Sequence, residues 1–135
     1  MGYKIGFIEH ERLTIEAFVI APKRARYLEL ISNVRTRKKF IAELDAGLEF
    51  DRVKSHPVPT AKQDPKILRD KLESKGAPLT CWVISADADI DGREMKLLEA
   101  LEIIQGNDCG TLVSCLPGRL AFYSAADKAG RLLLF

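Results

Sequence analysis

Apolar and polar positions change period several times between Leu79 and Tyr123, and each change predicts an element. From Leu79 to Ser85 both alternating faces are apolar, Cys81 and Val83 on one and Trp82 and Ile84 on the other, the pattern of a strand inside a sheet. Met95, Leu98 and Leu101 then recur at helical spacing, joined by Leu97 and Ile104, so a helix is predicted from Gly92 to Gln105 with its stop at Gly106. Cys109 to Leu116 returns to strand character. Strand, helix and strand in that order predict a right-handed β-α-β crossover with parallel pairing. Pro117 and Gly118 reverse the chain into Arg119–Tyr123. Pro-Gly suits type I and II turns rather than the primed turns of tight hairpins, so this hairpin is expected to be open or bulged. A second turn, Asp127 to Gly130, leads into a terminal strand, Arg131 to Phe135, and completes an antiparallel meander.

The N-terminal half is less uniform. Tyr3 to Ile8 has the β-branched and aromatic content of a short strand. Leu13 to Ala21 fits a strand by propensity and a helix by the spacing of Leu13, Ala17 and Ile20; a strand paired with the first is preferred. Pro22 stands at a first helical position, with Tyr27, Leu30 and Ile31 on one face, which predicts a helix to about Ser32. Carried straight on to Leu44, that helix would turn Arg37 and Lys38 into its apolar arc. A break is therefore placed in Ser32–Thr36, and a second helix, Arg37 to Ala46, presents Phe40, Ile41 and Leu44 before stopping at Gly47. Leu48 to Gln63, with Pro57 and Pro59, reads as an irregular connector. Asp64 and Pro65 are an N-cap and first-turn proline for a helix bearing Ile67, Leu68 and Leu72, ended by Gly76 and Pro78. The fold class expected is α/β, with α+β as the alternative: one domain over residues 1–135, a mixed sheet with a C-terminal β-α-β-β-β meander and about four packed helices.

Composition narrows the classes. Apolar residues are 47% and charged residues 30% of the 135, which, without repeats or low-complexity runs, leaves no basis for disorder or a solenoid. No run approaches the roughly 18 apolar residues of a membrane span, and the first residues lack a signal peptide's apolar core, so a soluble, cytoplasmic protein with no membrane partner is expected. Cys81, Cys109 and Cys115 are odd in number and form no close pair, which points to free thiols rather than disulfides or zinc.

Charge is less evenly spread than its total suggests. Between Pro22 and Ala42 seven basic residues face one acid, a local +6 in a chain of net +2, leaving −4 over the rest. Arg35, Arg37, Lys38 and Lys39, with Arg24 and Arg26 nearby, are candidate contacts for phosphate or nucleic acid, although a pI near 8.4 lies below the range typical of dedicated nucleic-acid modules.

The acidic loop offers other chemistry. Asp87, Asp89, Asp91 and Gly92 match the first half of an EF-hand loop, but Leu98 occupies the position where a bidentate glutamate is required. Asp91 with Glu94 also fits a capping box, which leaves Asp87 and Asp89 to explain. If two parallel strands end side by side, Asp87, Asp89, Ser114 and Cys115 line a small ligand pocket at their carboxyl ends. A Cys115–His56 pair is conceivable, yet no nucleophile elbow, Walker loop, zinc-protease motif or dinucleotide fingerprint is present, so no cofactor, metal or catalytic residue is assigned. The sequence reads best as a non-enzymatic binding or regulatory module with a protein or small-molecule partner. The alternatives are nucleic-acid or phosphate-ligand binding through residues 22–42 and a metal-assisted hydrolase using the 87–91 loop. The apolar strand Leu132–Phe135, placed at a sheet edge, adds the expectation of a homodimer.

Overall fold

The computed structural model of the chain describes residues 7–126 and 130–135. Most of the strand expected at Tyr3–Ile8, and residues 127–129 of the second turn, lie outside them. Phe7 opens a π-helical turn, Phe7–Arg12, that runs directly into helix α1, Leu13–Phe18. The strand preferred for residues 13–21 is thus a helix there, and only Val19 makes an isolated bridge, to Phe50. The local signal was balanced, and packing decides it, because the helical arrangement buries Thr14, Ile15 and Phe18 together.

Helices α2, Ala21–Ile31, and α3, Val34–Ala46, follow with the break inside the expected window. Asn33 makes it, its side-chain oxygen accepting from the Arg35 N–H at 2.9 Å. Helix α3 therefore starts three residues before Arg37, which falls in its first two turns. The connector contains a short strand, β1, Ser55–Pro57. Asp64 caps α4, Pro65–Ser74, as expected, accepting from the N–H groups of Lys66 and Ile67.

Strands β2, Thr80–Ser85; β3, Arg93–Lys96; β4, Thr111–Leu116; β5, Leu120–Ser124; and β6, Arg131–Leu134 complete one six-stranded sheet in the order β1-β6-β5-β4-β2-β3. Every neighbouring pair is antiparallel. The parallel crossover expected between β2 and β4 is thereby corrected. After Gly92, at φ 68°, the chain folds back on β2 as β3 instead of starting a helix. The Leu97 N–H then reaches the Leu79 carbonyl, at the starting end of β2. Helix α5, Leu97–Gln105, runs back up the sheet, so β4 enters beside the far end of β2, with Ser85 opposite Thr111.

Helices cover both faces. Trp82, Ile84, Leu112, Ala121, Tyr123 and Leu134 meet α1, α2 and α3 on one side. Cys81, Val83, Val113, Phe122 and Leu133 meet α4 and α5 on the other. The chain is an α/β protein, and β2 is the doubly buried interior strand that its pattern predicts. The β4–β5 hairpin shifts register between Ser114 and Leu116, the irregularity expected of its Pro-Gly turn.

The terminal strand is not an edge. β1 pairs with β6, Ser55 opposite Leu134, which removes the premise for dimerisation through Leu132–Phe135. Because the Lys54 carbonyl and Val58 N–H bond inward, ladder alternation turns Pro57 and Pro59 to the open side, where neither has an N–H to offer. At the opposite edge β3 exposes Arg93, Glu94 and Lys96, charges that discourage strand addition. Among the described residues no helix is long and apolar enough to cross a membrane.

Candidate functional site

The antiparallel pairing separates the residues expected to share a strand-end pocket. Asp87 sits past the end of β2, its carboxylate accepting from the Asp89 N–H at 3.0 Å and from Asn107 Nδ2 at 3.2 Å. Asp89 points to solvent. Ser114 lies mid-sheet opposite Trp82, on the face covered by α1. Cys115 is buried on the other face, its thiol pushed well above the usual range by desolvation. Among the described residues no group of three or more His, Cys, Asp or Glu side chains is placed to hold a metal ion.

Asp91 does not cap a helix. Its Oδ1 accepts from the Ser85 N–H at 2.9 Å, and both its oxygens accept from Arg37, from Nε at 3.0 Å and from Nη2 at 2.9 Å. The same guanidinium donates to both oxygens of Glu11, at 2.8 and 2.9 Å, and the Trp82 indole N–H donates to Glu11 at 2.8 Å. Glu11 is fully buried and Arg37 only 11% exposed. Arg37 is therefore a buried clamp between the N-terminal segment and the acidic loop, not a free phosphate contact, and the two carboxylates hold its pKa above the ordinary value against the opposing effect of burial. Arg26 pairs with Glu43, Lys23 with Glu49, and Arg24 donates to the Val19 carbonyl. Of the basic candidates, Arg35, Lys38 and Lys39 are exposed and outside any ion pair among the described residues.

Beside the clamp, His10 Nδ1 lies 2.8 Å from Ser114 Oγ, to which Thr14 Oγ1 also donates at 3.3 Å. The His10 ring lies parallel to the Trp82 indole at 6.1 Å. Burial lowers the His10 pKa, while Glu9, Glu94 and Glu11 act in the opposite sense. Ser114 is fully buried, so this pair docks the N-terminal segment on the sheet rather than presenting a nucleophile. On the opposite face a buried polar row crosses the sheet through Ser85, Thr111, Ser124 and Arg131. Arg131 donates from Nε to Ser124 Oγ at 3.0 Å and from Nη1 to Gln105 Oε1 at 2.9 Å, neutral acceptors that do not cancel its charge, and its buried Nη2 meets no partner among the described residues.

One concavity combines apolar walls with poised polar groups. Between α4 and the β1–β6 edge runs a groove of about 570 Å³, walled by Val58, Ile67, Leu68, Leu133 and Phe135 and flanked by Pro57 and Pro59. His56 lines it, its ring stacked on Phe135 at 3.8 Å and 15°. His56 Nε2 is buried and meets no hydrogen-bonding partner among the described residues. Lys75 Nζ stands 3.7 Å from the centroid of the Phe135 ring, a cation–π contact. A second depression, about 610 Å³ around Ile20, Arg24, Glu49 and Arg52, is ringed by charged side chains that already pair or bond to backbone in part.

No family model, curated protein or solved structure matches this chain. The functional reading therefore stands on geometry. Sequence reasoning passed over the groove because its walls come from four separated segments, residues 56–62, 67–71, 133 and 135. Two signals pointed towards it: an aromatic residue ending an apolar strand, and Ile67 on a helix stripe narrow enough to leave it 41% exposed. Glu11 carried no signal, since an isolated glutamate among charged neighbours reads as surface.

Proposed function

We propose that the chain is a non-enzymatic binding module and that the groove between α4 and the β1–β6 edge is its site. The observation that carries this reading is the coincidence, around one concavity, of exposed apolar wall, Ile67 at 41% and Phe135 at 38%, with two lysines, Lys62 and Lys71, that have no ion pair among the described residues. Small-molecule sites have this character: a mostly apolar cleft of about 300–1,000 Å³ with a few placed polar groups. The walls are also stiff. Pro57 ends β1 and Pro59 follows it, the His56 and Phe135 rings stack, and α4 is capped at its start by Asp64. A fragment library followed through the methyl signals of Val58, Ile67, Leu68 and Leu133 tests it. Hits should move these signals together and lose affinity in an Ile67→Trp variant, whose indole fills the groove; a library that leaves all four unmoved would overturn the reading.

A second reading has narrower support. Arg35, Lys38 and Lys39 lie exposed near the start of α3 with no ion pair among the described residues, a surface suited to phosphate groups. Its test is the salt slope of binding to a labelled single strand. A flat slope, or none of the strand retarded at low salt, removes it.

A further inference from the structure

We infer that the groove selects a small molecule with an apolar body and a single carboxylate. This rests on the groove being the binding site and adds the class of its ligand. Charge at the rim is one-sided. Lys62 and Lys71 line the groove, both exposed and neither in an ion pair among the described residues. Asp70, the acid on the same wall, is already paired with Arg69 at 3.1 Å. An anion approaching the groove meets two free ammonium groups, whereas a cation meets repulsion and a carboxylate whose charge is matched.

Inside the rim, His56 is held opposite Leu133 in the β1–β6 ladder and its ring is stacked on Phe135, a fixed part of the wall. Lys62 and Lys71 take the carboxylate at the mouth, and Val58, Leu68 and Leu133 take the apolar body. A peptide is a poorer occupant than a free small molecule. Strand addition needs main-chain donors along the open side of β1, and Pro57 and Pro59 stand there.

The probes are decanoate, decanol and decyltrimethylammonium, each below its micelle concentration, titrated into the 135-residue chain with labelled methyl groups. Decanoate should shift the Val58, Ile67, Leu68 and Leu133 methyls to saturation. Decanol should bind more weakly by about tenfold, and the ammonium should bind weakest. Lys62→Gln with Lys71→Gln should weaken decanoate roughly three- to tenfold and leave decanol unchanged, the size expected of two partly exposed charge contacts. A melting curve that matches the wild type confirms that the double lysine variant is folded. Equal binding of all three probes, with the lysine variant indifferent, overturns carboxylate selection and leaves the groove as a site. Methyl signals that none of the three moves overturn both.

Discussion

Removing the Arg37 guanidinium by Arg37→Ala leaves the Glu11 carboxyl group at zero exposure with the Trp82 indole N–H as its remaining side-chain donor. Four charge-assisted hydrogen bonds disappear, two from each carboxylate. Breaking a buried pair from one side costs about 3–5 kcal/mol, most of it the penalty of the stranded charge. That is a large fraction of the 5–15 kcal/mol that holds a typical domain folded. Glu11→Gln should cost less, about 1–3 kcal/mol, because an amide oxygen still accepts from Trp82 and Arg37 keeps Asp91. Urea unfolding followed by fluorescence reads the effect at its origin, since Trp82 is the only tryptophan and touches Glu11 directly. With a urea slope of about 2 kcal/mol per M, the Arg37→Ala midpoint should fall by roughly 1.5–2.5 M. Lys38→Ala, one residue along and exposed, should stay within about 0.5 kcal/mol of wild type. If the two variants unfold at the same urea concentration, the clamp does not hold the N-terminal segment to the sheet.

Three further outcomes are expected. Burial lowers the His10 pKa in the folded state below its ordinary value of 6.5, so the unfolded chain binds the proton more readily. Stability should therefore be complete above about pH 7 and decline as pH falls through 6.5 towards the folded pKa; in His10→Asn, unfolding curves between pH 5 and 8 should lose that part of the slope. Gly110→Ala would set a Cβ 2.5 Å from Asp45 Cα and 2.6 Å from the Leu44 carbonyl, so it should destabilise by about 1–3 kcal/mol in the same urea assay. Native thiol labelling at pH 8 should modify Cys109 first, because Cys81 and Cys115 are buried and the Cys81 thiol is pushed up to about 12; equal rates at all three would contradict the core assignment.

Elements with strong local chemistry were legible in the sequence. Asp64 with Pro65, the two apolar faces of β2, the interruption before α3 and the irregular Pro-Gly hairpin all follow from side chains acting on their neighbours. The sheet topology was not legible, because it turns on Arg93–Lys96. Those four residues carry three charges and one methionine that also fits the following helix stripe, and only pairing with β2 makes them a strand. Reading them as helix made β4 parallel and placed Ser114 and Cys115 beside Asp87. β1 was hidden for the same reason, being three residues long with a proline and dependent on β6 for its ladder. The sites divide likewise. Asp91 and Arg37 were each noticed, but as a helix cap and a phosphate contact; they lie 54 residues apart, and nothing local announces that they bind each other.

Intermolecular nuclear Overhauser effects from decanoate bound to the labelled chain test the groove itself. The chain-end protons should contact the Leu68 and Leu133 methyls and the Phe135 ring, with the carboxylate end near the Lys62 and Lys71 side chains. Contacts confined to another surface, such as the charged depression around Ile20 and Phe50, or contacts that persist undiminished in Ile67→Trp, would contradict the assignment of the groove as the binding site.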